Sequence, residues 1–598
     1  MRPRTAGRAT VAVVCAAVLT TAGCSSNGPS AGGSSAEGAP VSGGTLNMLG
    51  SGDVDYMDPN ASYYSTGYTA LRMWSRQLFT YPAVEGKTTT AVPDLAEAVP
   101  TEGRGISADG KTYTITLRDG AMWDTEPARA VTAGDFVRGV KRTCNPVQPF
   151  GGLPDYESLI EGFSAYCAGF AKVQPTAAAI AAYVNGHDVA GLQAPDDRTV
   201  VIRLTKPASY LVDMMTLPAF SPAPKEWDAY VPASAELAQH TISDGPYRIT
   251  AYTPTKSISF ERNPAWRAAS DPIRKAYVDK VQVNETVSQD STQQQLETGT
   301  PNADMQFDNL TPPSRVPALA AKKDPNLNIG STASSNPYIV YNTVSPNNGG
   351  ALGKPEVRRA ISTAIDRSNI IQVLGGNLLN TPLAHVLPGS IVGGEKAFDD
   401  YPNDPAKAKQ MLAAAGYPDG LTLKVLYRNA SEGQTKTFQT IQQDLGKVGI
   451  TVVGVPSPNA DFYTKYLQVP TVARRGVWDV SIAGWGPDWY GNAALSFFGP
   501  LFNGKAAFPP IGSNFGFYEN PALDALVAEA AQAPTPEEAA PLWAEADHLV
   551  MEDAAFFPIT EPRTPNYHAT QVHGAVYIPA FQNFDPTNVW LAAGMQGG

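Results

Sequence analysis

The chain has 598 residues, a hydrophobic content of 43% and a formal net charge of −12. At roughly 150 residues per domain, a chain of this length needs several domains or subdomains. The ordinary apolar content excludes global disorder, and the acidic balance argues against a nucleic-acid partner, because such binding depends on clustered Lys and Arg. No apolar run of the sequence reaches the roughly 20 residues that a membrane-spanning helix needs.

Residues 1–23 have the pattern of a secretory signal. Three arginines precede a short apolar stretch at residues 9–20, and small residues follow it. The sequence around Cys24 resembles a bacterial lipobox, with Thr21 in place of the usual leucine. We therefore expect Cys24 to carry lipid, and the Ser-, Gly- and Ala-rich residues 24–42 to form a flexible tether. The alternative is an ordinary secretory signal, in which Cys24 has no role.

The cysteine count agrees with export. Of the four cysteines, Cys15 lies in the signal and Cys24 is the lipidation candidate, which leaves Cys144 and Cys167. In an oxidising compartment these two are expected to form a disulfide that contributes about 3 kcal/mol by the chain-entropy model. Two buried free thiols are the alternative. A zinc site is disfavoured, because neither cysteine has a second Cys or His at ligand spacing.

Strand patterns come first along the body of the chain. Short runs of β-branched and apolar residues, bounded by turn residues, alternate between apolar and polar positions and so predict strands. These runs cover residues 46–49, 112–117, 200–204 and 257–260.

After residue 354 the apolar residues recur with a helical period. Apolar residues at positions i, i+3, i+4, i+7 and i+8 predict an amphipathic helix that begins near Pro355. Asp404 and Gly416 are the start and stop signals of a second helix. A βαβ unit is predicted next, with a strand at 421–427, a helix at 438–448 and a strand at 450–455. We therefore expect an α/β lobe over residues 335–560.

Motifs for catalysis or metal binding are missing from the sequence. It lacks an H-E-x-x-H zinc helix, and it has no G-x-S-x-G elbow between a predicted strand and a predicted helix. His568 and His573 are the nearest histidine pair, but a five-residue gap does not place both on one helical face. Asp53, Asp55 and Asp58 lack the Gly and the terminal Glu of a calcium loop, so they are interpreted as an acidic turn. We expect no metal, no cofactor and no enzymatic activity.

Five blocks of sequence, in order along most of the chain, carry a family resemblance. The blocks are 57–59 with 78–81, 109–113 with 117–137, 244–247 with 261–266, 357–361 with 365–367, and 406–416. They resemble the family 5 extracellular solute-binding proteins, the dipeptide and oligopeptide receptors of ABC importers. One block alone, such as the Gly-Pro-Tyr turn, is a weak signal, whereas five in the right order are a strong one.

The resemblance implies an α/β, periplasmic-binding-protein-like fold. Such a fold has two lobes joined by a hinge, with an extra subdomain inserted in lobe I. Carried onto this chain, lobe I comprises 43–85, 216–334 and 561–598, the inserted subdomain comprises 86–215, and lobe II comprises 335–560.

The resemblance also implies a site in the segment 478–490. By itself this segment predicts a strand that ends in a turn rich in glycine and aromatic residues, where the tryptophans could simply pack a lobe edge. The family's peptide receptors have a Trp and an Asp three residues apart here, and the Asp receives the α-ammonium of the ligand. Trp485 and Asp488 keep that spacing, and Gly484 and Gly486 would offer backbone groups to an extended peptide.

Two further segments complete the predicted site. Across the cleft, the stretch that begins at Tyr63 and continues with Tyr64, Ser65 and Thr66 occupies the place where the family's first lobe pairs with the ligand. Arg428, just after a predicted strand, could meet the carboxylate of the ligand. The alternative for Arg428 is an ordinary exposed surface arginine.

The expected function is that of a lipid-anchored, monomeric peptide receptor of an ABC importer, held at the outer face of the cell membrane. Its lobes would close about the peptide, and permease subunits in the membrane would recognise the closed form. Three alternatives remain open. The same fold could bind a nickel complex, a sugar or a siderophore, the protein could be a secreted hydrolase, or it could have a surface role in signalling or chaperoning.

Overall fold

The computed structural model describes residues 39–332, 334–429, 431–458, 461–509 and 512–592. The predicted signal, Cys24 and most of the predicted tether lie outside these residues. The chain divides into two units, Met1–Ala39 and Pro40–Gly598, and every element below belongs to the second unit. None of the helices in the described part of the chain combines the length and the apolar character needed to cross a bilayer.

The first five-stranded sheet contains the earliest strand of the chain. Thr45–Leu49 pairs in parallel with two later strands, so that the carboxyl ends of all three meet at one edge of the sheet. The predicted strands at 46–49 and 257–260 both lie in this sheet. In spatial order its strands are Tyr247–Thr253, Ser257–Arg262, Lys280–Asn284, Thr45–Leu49 and Met305–Gln306.

The second five-stranded sheet lies within the range predicted for the inserted subdomain. The helix Ala133–Arg142 packs against it, and Thr132 and Asp135 form a capping box at the start of that helix. The strands in spatial order are Thr101–Glu102, Gly105–Ile106, Thr112–Thr116, Thr199–Arg203 and Leu192–Gln193. Cys144 and Cys167 form a disulfide with their Cα atoms 5.5 Å apart, which confirms the predicted pair.

The third five-stranded sheet confirms the βαβ unit. Thr422–Arg428 and Thr451–Ser457 pair in parallel, and the helix Glu432–Gly446 connects them. That helix ends two residues before Val448, which the apolar pattern had included. The sheet is mixed, because Asn336–Tyr341 runs antiparallel to both of its neighbours. In spatial order the strands are Thr451–Ser457, Thr422–Arg428, Val480–Trp485, Asn336–Tyr341 and Phe556–Pro558.

A three-stranded sheet connects the two halves of the molecule. Its strands in spatial order are Leu327–Thr332, Thr560–Tyr567 and Asn380–Pro382. The first of these strands precedes Asn336–Tyr341 of the third sheet, and the second follows Phe556–Pro558 of the same sheet. The chain therefore crosses into the third sheet and back again through two short connections, which is where a hinge would lie.

The remaining elements cover the sheets and join them. Both helices predicted after residue 354 are present, and Asp404 caps the second by accepting a hydrogen bond from the backbone N–H of Lys407 at 2.9 Å. The α-helices not yet named are Ser65–Trp74, Phe163–Phe170, Ala177–Gly186, Leu211–Met214, Gln289–Thr298, Val316–Ala321, Pro355–Ala364, Arg367–Val373, Pro405–Ala414, Pro470–Arg474, Leu495–Phe502, Pro521–Ala530 and Pro536–Glu552. Two-stranded ribbons pair Phe79–Thr80 with Val92–Pro93, Met122–Trp123 with Arg129–Ala130, Val572–His573 with Trp590–Leu591, and Tyr577–Ile578 with Asn583–Phe584.

Candidate ligand-binding site

Asp488 follows the strand Val480–Trp485 and makes a direct contact with the first part of the chain. The hydroxyl of Tyr63 donates a hydrogen bond to Oδ1 of Asp488 at 2.5 Å, across 425 residues of sequence. Tyr63 itself is held in place, because its backbone N–H donates to Asp55 at 2.6 Å and its ring packs edge-on against Phe150. The contact therefore joins the side chain of Tyr63, which its neighbours hold in place, to the carboxylate of Asp488 in a loop.

A second carboxyl group, that of Asp155, lies within hydrogen-bonding reach of Asp488. Asp155 ends the short helical turn Leu153–Asp155. Burial raises the pKa of Asp488 to about 6, and the hydrogen bonds with Tyr63 and Asp155 oppose that rise. Burial and the neighbouring charge of Asp488 raise the pKa of Asp155 well above its ordinary value. Two adjacent carboxyl groups cannot both ionise freely, so the pair holds its last proton to a higher pH than an exposed carboxyl group would.

Asp488 also lines a small cavity with a volume of about 20 Å³. The helix Ser65–Trp74 contributes Tyr68 and Arg72 to its wall. The guanidinium of Arg72 is occupied by Asp585, at 2.8 Å, so the positive charge in the wall is already neutralised. The buried hydroxyl of Tyr68 has no hydrogen-bond partner among the described residues. The cavity therefore presents a carboxylate and an unsatisfied hydroxyl to whatever enters it.

The same loop of the third sheet makes further contacts beyond Asp488. The backbone N–H of Tyr490 donates to the hydroxyl of Tyr81 at 2.8 Å, and the side-chain amide of Asn492 donates to Ser209 at 3.0 Å. The ring of Trp489 stacks on another aromatic ring of the first part of the chain, with centroids 5.9 Å apart. Residues 488–492 therefore contact the first part of the chain at several points.

The predicted residues of the segment 478–490 lie at the end of their strand. The indole N–H of Trp485 donates to the backbone carbonyl of Ser496 at 2.8 Å, so this tryptophan is anchored within its own lobe. Gly484 lies opposite Pro337, which has no N–H to donate. On the other side, pairing with the neighbouring parallel strand ends at Ser481. The backbone of Gly484 and the exposed Gly486 thus extends beyond the sheet on that side.

The other predicted residues are not gathered around Asp488. Ser65 and Thr66 line a different cavity, with a volume of about 70 Å³, and the cavity wall beside Asp488 includes neither of them. Tyr64 is 65% exposed. Arg428 lies at the end of its strand with its guanidinium over the ring of Phe462, and its buried Nε has no partner among the described residues. The structure thus unites Asp488 with Tyr63, Tyr68 and Asp155, while Ser65, Thr66 and Arg428 lie elsewhere.

Two of these residues were missed by the sequence reasoning. Asp155 is one of 56 acidic residues, and its position after a Gly-Gly-Leu-Pro turn does not distinguish it from the others. Tyr68 could have been found, because Tyr68, Leu71 and Arg72 recur at i, i+3 and i+4 and so share one helical face.

The residues considered for metal binding make other contacts. His573 stacks on Trp590, and His568 packs edge-on against Phe584. The described residues contain no group of three or more His, Cys, Asp or Glu side chains arranged to hold a metal ion. In the acidic turn, Asp53 accepts a hydrogen bond from Tyr252 and Asp58 accepts one from Arg142. Asp55 accepts hydrogen bonds from Ser62 and Tyr63.

Comparison with known proteins places this architecture in a family. The family model described as "Bacterial extracellular solute-binding proteins, family 5 Middle" matches residues 90–508. The glutathione-binding protein GsiB of Salmonella typhi is 24% identical over 484 residues, which cover 80% of this chain and 83% of the relative. The di/tripeptide-binding protein 4 of Pseudomonas aeruginosa is 25% identical over 515 residues, 84% of this chain and 87% of the relative.

Solved structures agree with the family match. The clavulanic acid biosynthesis oligopeptide binding protein 2 superposes with a TM-score of 0.80 at 25% identity, covering 92% of this chain and 96% of that protein. The periplasmic binding protein DppA of Helicobacter pylori, solved with the peptide STSA, has the same fold, with a TM-score of 0.71, 22% identity and coverage of 92% and 98%. The two-lobe α/β fold expected from the sequence is thereby confirmed. The chain belongs to the bacterial extracellular solute-binding proteins of family 5.

Proposed function

We propose that the protein is the peptide-binding subunit of an ABC importer and that it is not an enzyme. The observation that carries this proposal is the carboxylate of Asp488, which lines an interlobe cavity and is contacted across the cleft by Tyr63. The relatives support the choice of ligand, because they are binding proteins for glutathione and for dipeptides and tripeptides. All of these ligands carry a primary ammonium group.

The chemistry of the cavity suits the ammonium end of a peptide. An ammonium that leaves water loses several kcal/mol of hydration, and a carboxylate with charge-assisted hydrogen bonds can compensate for that loss. The backbone beyond the strand at Gly484 and Gly486 would pair with an extended peptide, so that affinity depends mainly on the main chain of the ligand. Trp485 would form the wall beside that backbone.

We assign the remaining predicted residues to more distant parts of the ligand. Arg428 has an unpartnered Nε at the carboxyl edge of its sheet, which suits the far carboxylate of a peptide. Tyr64, Ser65 and Thr66 would contact the ligand from lobe I. The proposed lobe borders are those expected from the sequence, with the inserted subdomain at 86–215 and lobe II at 335–560.

The transport role follows from closure of the two lobes. A ligand that contacts both sides of the cleft favours the closed form, and the permease would recognise that form. Lipid on Cys24 would hold the receptor, as a monomer, at the outer face of the cell membrane. Cys24→Ser should release the protein into the medium, and continued retention in the membrane fraction would contradict lipidation there.

The central experiment is calorimetry of peptide binding to Asp488→Ala. We expect trialanine to bind the unmodified protein and to lose at least about 100-fold in affinity in the variant, because a buried ammonium then lacks its charged partner. Asp419→Ala, which removes an exposed carboxylate of the same lobe, serves as the matched control. Equal affinity in Asp488→Ala, with an unchanged melting temperature, would rule out this site.

Mass spectrometry of the material that co-purifies with the protein tests the class of ligand. Recovery of short peptides supports the proposal. Recovery of a metal complex, a sugar or a siderophore instead would show that the fold serves another solute in this protein.

A further inference from the structure

Three side chains from three separate segments meet at one point of the cleft. Tyr63 precedes the helix Ser65–Trp74, Asp155 lies in the proposed inserted subdomain, and Asp488 follows the strand Val480–Trp485. Tyr63 donates to Asp488 at 2.5 Å, and the two carboxyl groups lie within hydrogen-bonding reach of each other. The cleft therefore presents a pair of carboxyl groups, one from each side.

The side chains around Asp155 and Asp488 do not neutralise the negative charge of these two carboxyl groups, so a cation can bind between them. Tyr63 and Tyr68 face it from lobe I, and Tyr156 and Tyr210 interact with Asp155 from the insert side. Burial raises the pKa of each of these four phenols above its ordinary value, so all four are neutral at pH 7.

Among the described residues that line the cavity beside Asp488, the one basic side chain is Arg72. Its guanidinium forms an ion pair with Asp585 at 2.8 Å, so the cavity wall contains no free positive charge. Without a bound cation, the two carboxyl groups of Asp155 and Asp488 share a proton.

Tyr68 provides an independent indication that a polar group binds here. Its side chain is only 9% exposed, and its buried hydroxyl has no hydrogen-bond partner among the described residues. It lines the same cavity as Asp488. Buried hydroxyl groups in folded proteins nearly always have a partner, so a polar ligand atom is expected beside this one.

We propose that Asp155 is a second ligand-binding carboxylate, and that the primary ammonium of an unblocked peptide is held between Asp155 and Asp488. The proposal rests on the proposed function and adds a specificity-determining residue to it. An ammonium has three N–H donors, and the two carboxylates and the hydroxyl of Tyr68 are three acceptors. The ammonium takes the place of the shared proton, which passes to the solvent. Because Asp155 and Asp488 lie on opposite sides of the cleft, the cation also joins the two sides.

The test is calorimetry of trialanine binding at pH 7 in two buffers of different ionisation enthalpy. The unmodified protein should release a measurable fraction of a proton per peptide bound, because the shared proton is displaced. Asp155→Asn should bind about 10- to 100-fold more weakly, the range for a lost hydrogen bond to a charged group, and should release no measurable proton. N-acetyl-trialanine, which has no ammonium, should bind the unmodified protein weakly and without proton release.

Asp188→Asn is the matched control, because it removes an exposed carboxylate from the proposed inserted subdomain. It should keep both the affinity and the proton release. If Asp155→Asn does not fold, as judged by circular dichroism and thermal melting, Asp155→Ser replaces it with the same expected results.

The outcomes separate this inference from the proposed function. If the unmodified protein binds no unblocked peptide, both fail. If it binds trialanine and Asp155→Asn does so with equal affinity and equal proton release, the second carboxylate is refuted while the peptide-binding function stands.

Discussion

Tyr63 is one of the groups that set the pKa of Asp488, and it acts from across the cleft. Its hydrogen bond stabilises the ionised carboxylate and so opposes the effect of burial, which raises the pKa of Asp488 to about 6. Since only the ionised form attracts an ammonium, affinity should weaken as the pH falls through this pKa. The protein should therefore bind peptides poorly at pH 5, and its affinity should still increase between pH 7 and pH 8, because the proton that Asp488 shares with Asp155 is then lost more easily.

Tyr63→Phe should move that pH dependence upward. Without the donor, the pKa of Asp488 rises further, so the midpoint of the affinity profile shifts to higher pH, and affinity at pH 7 falls about three- to tenfold. Peptide titrations between pH 5 and 8 measure both effects. Tyr277→Phe, a half-buried tyrosine that lines neither cavity near the helix Ser65–Trp74, should leave the profile unchanged. An unshifted midpoint in Tyr63→Phe would show that the hydroxyl does not act on Asp488 in solution.

At the scale of elements, a buried ionic network ties the helix Ser65–Trp74 to its surroundings. Arg76, two residues after the helix, contacts Asp94 at 2.8 Å, and Arg274 contacts the same aspartate at 2.8 Å. Asp271 completes the network, and these four side chains are completely buried. The network holds the chain in place just after the helix Ser65–Trp74. It therefore helps to position Tyr68 on that helix and Tyr63 just before it.

Asp94→Ala should destabilise the fold by about 3–5 kcal/mol, because it removes the closer of the two carboxylates that the buried guanidinium groups of Arg76 and Arg274 share. Urea denaturation followed by circular dichroism measures the loss. Glu432→Ala breaks the exposed pair with Lys436 and should cost no more than about 0.5 kcal/mol. A cost for Asp94→Ala as small as that of the surface pair would show that the network does not support the fold.

At the scale of the whole molecule, buried acids with raised pKa values give stability a distinctive pH dependence. Burial raises the pKa of Asp244 to about 7 and that of Glu285 to about 8. The folded state therefore binds more protons than the unfolded state between about pH 4 and these values, so stability falls as the pH rises through that window. Asp271 and Asp585 have the opposite effect, because nearby arginines lower their pKa values. Their ionised carboxylates stabilise the folded state, and this stabilisation is lost only in stronger acid.

The ligand-free protein should accordingly be more stable near pH 5 than at pH 8. The slope per raised carboxyl group is at most about 1.4 kcal/mol per pH unit. Asp244→Asn, which cannot ionise, should flatten part of the slope in denaturation curves recorded at pH 5, 6, 7 and 8. Stability that rises steadily from pH 5 to pH 8 would contradict this assignment of buried protonated acids.

Much of the architecture could be predicted because it depends on local patterns. The alternation of residues 422–428 and the helical period before Gly446 specify a strand and a helix whatever surrounds them. The disulfide followed from counting, since the signal and the lipobox accounted for the other two cysteines. The spacing of Trp485 and Asp488 is likewise a local feature, which is why it could be recognised from the family resemblance.

The sequence by itself determined the class of fold and the disulfide pair, because each is encoded within a short segment or a family pattern, and it singled out the carboxylate at position 488 as a candidate ligand-binding group. Only the tertiary structure decided which groups meet that carboxylate. Tyr63 is 425 residues away from it, and its contact depends on how separate segments pack across the cleft. Tyr68 and Ser65 lie on the same helix, but only Tyr68 lines the cavity beside Asp488. The orientation of that helix relative to the other lobe decides which of its faces lies toward Asp488.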